Sequence, residues 1–262
     1  MELYLLDVGE LMHEDAGNRL EELLLLLDET RQKKALAAGT SRARAAELGA
    51  GLLLQKAALD WEDGVLRGGE KRMRLGLDSE EPEEISMRCT VSGLCSELTE
   101  VFSRRCAGSG LQAEPPGAFP LRYRYGEKGK PYFADFSLFF SLSHSGDYVL
   151  CAVARREIGA DLQRLQPVDV GKLARRFFSE PERLALERCK DDGERQRLFF
   201  ELWTRKEAYG KLTGAGVATA LGRDMLSADC GNFPQPVRWI PFSPPPGYAA
   251  AVCVEGREFD GL

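Results

Sequence analysis

The chain has 262 residues, 44% hydrophobic and 29% charged, with a formal net charge of −6 at pH 7. That is the composition of a globular protein with ample length for a core, as one large domain or two small ones, and its acidity argues against general nucleic-acid affinity. Seven scattered cysteines without a CxxC point to free thiols in a reducing cytoplasm, and with only His13 and His144 a His-rich metal centre is excluded, leaving oxygen-ligated magnesium or manganese.

The opening MELYLLDVGE has no basic n-region, and the longest leucine run, Leu23–Leu27, is far too short to span a bilayer. Glu2–Val8 alternates as a strand, and Ala16–Leu27 reads as a leucine-rich amphipathic helix. A basic cluster, Arg31, Lys33 and Lys34, follows in a short helical segment broken at Gly39. Thr40 or Ser41 is a candidate N-cap for a long helix to about Leu59. That places Arg42 and Arg44 in a first turn where the helix dipole disfavours cations: either their charges are solvated, or an anion, for which we expect phosphate, is held there by the arginines and the free N–H groups.

Trp61–Gly117 is an elaboration with an acidic run (Asp78–Glu84), a helix around Leu94–Arg105 and a Gly/Pro-rich exit. Strand-like alternation resumes over Phe119–Tyr125 and leads to Gly129-Lys130-Pro131. Phe136–Ala154 reads as two strands joined by a turn over Ser143–Asp147, with His144 between two serines. Glu157–Gln163 is a third strand that carries Asp161 in an apolar setting. Ser179, Pro181 and Glu182 form a capping-box start for another helix.

Leu198–Gly216 is one helix stopped by Gly214 and Gly216. Residues four apart stack, so Trp203, Glu207 and Lys211 share a ridge, while Lys206 falls on a mostly apolar face, where a structural ion pair is expected. Near the C-terminus Gly247–Val254 echoes Gly146–Val153, and each strand precedes an Arg-Glu pair (156–157 and 257–258). Each half also opens with a short strand bearing an Asp, Asp7 or Asp161. The pattern implies two similar α+β halves, 1–157 (with the elaboration at 61–117) and 158–262, and a cleft between them as ligand site.

Taken together, Lys130-Pro131, Ser143-His144-Ser145, Gly159-Ala160-Asp161, Phe177-Phe178 with Glu182, and the complete WxxKEAxxK of Trp203–Lys211 resemble the surfactin-type (Sfp-type), single-chain 4′-phosphopantetheinyl transferases. The likeness is weak over Met1–Leu59 and good over Gly129–Gly216. It implies the 4′-phosphopantetheinyl transferase fold, two α+β halves about a pseudo-twofold with the active site between them. It also implies magnesium-dependent transfer of the phosphopantetheine arm of coenzyme A to a serine of an acyl or peptidyl carrier protein, releasing 3′,5′-ADP.

By the same resemblance Asp161 and Glu207 bind the metal, and Glu207 serves as base for the carrier serine. His144 and Lys211 contact phosphate, and Lys130-Pro131 and Ser143 line the coenzyme A site. Arg31, Lys33 or Arg44 takes the 3′-phosphate. Many members carry a third acid where this chain has Gln163, so weaker magnesium binding is expected. The carrier would dock on Leu162–Arg176. The chain is expected to act as a cytoplasmic monomer, with neither membrane nor nucleic acid as partner. The alternative, a non-catalytic coenzyme A- or carrier-binding protein of the same fold, rests on Gln163 alone.

Overall fold

Strand β1 (Glu2–Asp7) buries Leu3, Tyr4, Leu5 and Leu6, so both of its faces are covered. The computed structural model describes residues 1–12, 16–66, 87–108, 120–226 and 237–256. The acidic run Asp78–Glu84, most of the Gly/Pro-rich exit and the second Arg-Glu pair lie outside them.

Three helices follow β1: α1 (Ala16–Leu25), α2 (Glu29–Ala37) and α3 (Ser41–Leu66). Asp28 caps α2 by accepting from Arg31 N, and Thr40 Oγ1 accepts from Ala43 N at the start of α3. Strand β2 (Met87–Cys89) runs parallel to β1, and α4 (Val91–Gly108) packs on α3. The hairpin β3 (Tyr123–Tyr125) and β4 (Pro131–Phe133) precedes the antiparallel pair β5 (Phe139–Ser145) and β6 (Tyr148–Ala154). β1, β2, β5 and β6 form a four-stranded sheet in the order β2-β1-β6-β5, and β3 with β4 a separate two-stranded one.

A second sheet has the order β7-β9-β8, from β7 (Ile158–Arg164), β9 (Tyr248–Glu255) and β8 (Val237–Ile240). Between β7 and β8 come α5 (Val170–Phe177), α6 (Glu180–Glu187) and α7 (Asp192–Thr213). The α+β layering follows from strand alternation. Leu3 and Leu5 of β1 and Leu150 and Ala152 of β6 meet Ile158, Ala160 and Leu162 of β7 and Val252 of β9. The opposite faces receive helices: α3 against β1 and β6, α7 against β7 and β9. Helix α7 lies so close to β7 that a Cβ on Gly159 would stand 1.9 Å from the Ala208 carbonyl oxygen.

Helix α7 starts six residues before Leu198, because Asp191 caps it by accepting from Glu194 N at 2.8 Å. It ends at Gly214, whose φ of 66° is the left-handed cap that glycine adopts without strain. The capping box is present: Ser179 N donates to Glu182 while Ser179 Oγ accepts from Glu182 N. The two echoing strands, β6 and β9, do pair alike, β6 with β1 and β9 with β7. Their alignment in sequence, however, is one residue out. It would match Leu150, which faces the other sheet, with Ala251, which faces the helices.

Candidate active site

The site forms where the free edges of the two sheets, β5 and β7, meet. No backbone ladder joins these strands; serine side chains take its place. Ser141 Oγ accepts from Ala160 N at 2.9 Å, Ser143 Oγ from Leu162 N at 3.2 Å and Ser145 Oγ from Arg164 N at 2.9 Å. The i, i+2, i+4 spacing of these serines puts all three on one side of β5, so each meets an edge N–H of β7 that would otherwise lack a partner. The same Ser143 hydroxyl donates to Asp161 Oδ1 at 2.7 Å, fixing the carboxylate.

Asp161 points toward α7, where Lys211 Nζ lies 2.7 Å from the same oxygen and 3.2 Å from the Leu142 carbonyl. Glu207, one turn earlier, forms no ion pair with Lys211; the lysine bonds Asp161 instead. Burial and the charge of Asp161 push the Glu207 carboxyl above its ordinary range, while Lys211 pulls it down. Two carboxylates that raise each other's energy are a setting a cation relieves. Among the described residues no group of three or more His, Cys, Asp or Glu is placed to hold a metal. A divalent ion here would therefore draw on Asp161 and Glu207 and complete its sphere with phosphate and water, as magnesium does readily. Gln163, two residues along β7, lines the same chamber as both acids.

Two chambers meet at Leu142, His144, Glu207 and Lys211. One, about 420 Å³, adds Ser143, Asp161, Gln163 and Trp203. The other, about 410 Å³, runs toward the N-terminal helices and adds Arg31, Lys34, Glu47, Lys128, Lys130 and Pro131. Trp203, on the same ridge as Glu207 and Lys211, stacks on Phe199 and touches Phe177, and it also walls the first chamber.

The predicted phosphate cluster divides. Arg31 is buried in the chamber wall, 3.1 Å from Glu47, and its Nε has no hydrogen-bond partner. Lys33 faces solvent and pairs with Glu29, whereas Lys34 lines the chamber. Helical spacing carries the signal that separates them, because Arg31 and Lys34 are three apart on one face. Arg44 is half-buried with an unpartnered Nε and is not part of the chamber lining. Lys128 and Glu47 line the chamber and were not singled out from the sequence.

Lys130 has a further task. Its ammonium bonds Glu157 at 2.5 Å, the Ile158 carbonyl at 3.2 Å and the Leu212 carbonyl at 2.8 Å, tying the β3–β4 hairpin to β7 and to the last turn of α7. Burial pulls its pKa down against the pull of Glu157. Lys206 and Glu182 form a wholly buried pair at 2.9 Å, with Lys206 also donating to the Arg223 carbonyl and Glu182 accepting from Met225 N.

Residues 157–249 match the model of the 4′-phosphopantetheinyl transferase superfamily. The chain is 45% identical over 104 residues to the 4′-phosphopantetheinyl transferase HetI of Nostoc, covering 37% of this chain and 44% of HetI. It is 41% identical over 97 residues to the transferase gsp of Aneurinibacillus migulanus, covering 37% and 40%. To the transferase Sfp of Bacillus subtilis it is 31% identical over 148 residues, covering 53% and 65%. The matched stretches thus span less than two thirds of each of these relatives.

Proposed function

We propose that this relative of the 4′-phosphopantetheinyl transferases is itself one: it moves the phosphopantetheine arm of coenzyme A to a serine of an acyl or peptidyl carrier protein. The observation that carries the reading is the convergence of Asp161, Glu207, Lys211 and His144 where two chambers meet. The chamber rich in Arg31, Lys34 and Lys128 suits the 3′,5′-ADP part of coenzyme A. The other suits the arm and the incoming serine.

Asp161 and Glu207, with Gln163 alongside, would hold magnesium or manganese. Such an ion would offset charge on the diphosphate. Glu207 takes the serine proton as the serine oxygen attacks the phosphorus that bears pantetheine. The bond from that phosphorus to the bridging oxygen breaks, and 3′,5′-ADP leaves with the electron pair. A carboxylate whose pKa is raised above the usual range is a better proton acceptor than an ordinary one, and placement and electrostatics do most of the work in such a transfer. His144 and Lys211 hold phosphate oxygens, and Ser143 keeps Asp161 in place.

We place the carrier on Leu162–Arg176, where α5 carries Lys172, Arg175 and Arg176, cations suited to an acidic partner. We assign the two α+β units to 1–157 and 158–262, with 61–117 as the elaboration, in a monomer of the reducing cytoplasm. Among the described residues no helix is long and apolar enough to cross a membrane. Incubation with coenzyme A, magnesium and an apo carrier, followed by chromatography for 3′,5′-ADP, tests the reading. Tight coenzyme A binding without nucleotide release on any of several carriers would favour the non-catalytic alternative.

A further inference from the structure

Lys211 and Asp161 are not independent ligand groups. The ammonium and the Ser143 hydroxyl share Asp161 Oδ1, each at 2.7 Å, and a third bond to the Leu142 carbonyl holds the lysine in place. Lys211 thus sets a positive charge against one of the two carboxylates assigned to the cation and one helical turn from the other. Its side chain keeps about a third of its surface exposed and lines both chambers.

We propose that Lys211 is a built-in counter-ion of the metal site: it opposes a divalent cation at Asp161 and Glu207 until a diphosphate draws the ammonium away, so that cation and coenzyme A bind with positive coupling. This rests on the assignment of the cation to Asp161 and Glu207 given above. An ammonium within a few ångströms of the cation position repels it by several-fold in affinity even at a high effective dielectric. A diphosphate in the neighbouring chamber offers Lys211 a partner with more charge than a single carboxylate. Once Lys211 turns to it, both carboxylates serve the cation. By linkage, whatever the diphosphate gains for the cation, the cation gains for the diphosphate. A lysine that only binds phosphate would leave cation affinity untouched when coenzyme A is absent.

The full chain is titrated with Mn²⁺ by electron paramagnetic resonance, without and with coenzyme A, for wild type, Lys211→Met, Lys211→Gln and Asp161→Asn. Without coenzyme A, both Lys211 variants are expected to bind Mn²⁺ about tenfold more tightly than wild type. The tightening that coenzyme A produces in wild type should shrink by the same factor in them, and Asp161→Asn should lose the ion. Unchanged or weaker Mn²⁺ binding in both Lys211 variants overturns the proposal. Full Mn²⁺ binding by Asp161→Asn, or none by wild type even with coenzyme A, instead overturns the metal assignment on which it rests.

Discussion

Tyr4 and Asp161 stand on the same rung of their strand pairs, counted from the closing rungs Asp7–Tyr148 and Arg164–Tyr248. Beyond those rungs the correspondence continues, as Val8 N donates to the Asp147 carbonyl and Leu165 N to that of Gly247. Each residue faces a helix and bonds a side chain on it: Tyr4 meets Asp60 of α3 at 2.9 Å, Asp161 meets Lys211 of α7. Yet one place is sealed and the other open. Tyr4 is fully buried, its hydroxyl shared between Asp60 and Glu2 and pushed far up by burial, while Lys56 pairs with Asp60 at 2.6 Å. On the proposed division at 157/158, the place in the first unit that corresponds to Asp161 is thereby closed among the described residues. Asp7, the other strand-borne Asp, only caps the next turn by accepting from Gly9 N.

The serine ladder should be measurable. Ser141→Ala removes the acceptor of Ala160 N in a buried setting, and stranding that N–H should cost about 1–3 kcal/mol. Urea unfolding reads this, and a loss within error of zero would mean that the Ser141 bond contributes nothing to holding β5 on β7.

Removing Lys206 should hurt more. Lys206→Met leaves the Glu182 carboxylate wholly buried without its cation, at a cost of about 3–5 kcal/mol. Adding Glu182→Gln should recover part of that loss, because glutamine is neutral and its one carbonyl oxygen can still accept from either Ser179 N or Met225 N, though not from both. A double variant as unstable as the single would show that the ion pair itself is not what matters.

Glu207 should give its own pH signature in EDTA. Its folded-state pKa is raised, chiefly by burial. Relative to the unfolded chain, its contribution is therefore fully present below the ordinary carboxylate range and lost as pH rises through the raised pKa. Glu207→Gln, neutral throughout, should melt a few degrees above wild type at pH 7–8, with the difference vanishing below about pH 4. A gain independent of pH would contradict the assigned cause.

Gln163 shares a chamber with Asp161 and Glu207. Gln163→Glu adds a third carboxylate there and should lower the magnesium concentration for half-maximal transfer several-fold. An unchanged magnesium dependence would remove Gln163 from the metal's surroundings.

Some of this was legible in sequence because its physics is local. The capping box at Ser179–Glu182, the glycine stop after Lys211 and the ridge Trp203–Glu207–Lys211 follow from helix spacing alone. What depends on a second element was not legible. The serines at 141, 143 and 145 look like an ordinary turn-rich strand until an edge N–H row is set beside them. Lys211 is legible as a phosphate contact on the ridge with Glu207, but its bond to Asp161 is not, because only β7 brings that carboxylate within reach. The start of α7 was missed because Asp192-Gly193 looks like a turn, whereas Asp191 caps the helix through it.

The central claim is that Asp161 and Glu207 together drive transfer onto a carrier serine. The most direct measurement is the intact mass of an apo carrier protein after incubation with coenzyme A, magnesium and wild type, Asp161→Ala or Glu207→Ala. Wild type should add one phosphopantetheine arm, mapped by peptide sequencing to a serine, and both variants, folded by circular dichroism, should add none. Arm transfer at near wild-type rate by either variant would contradict it.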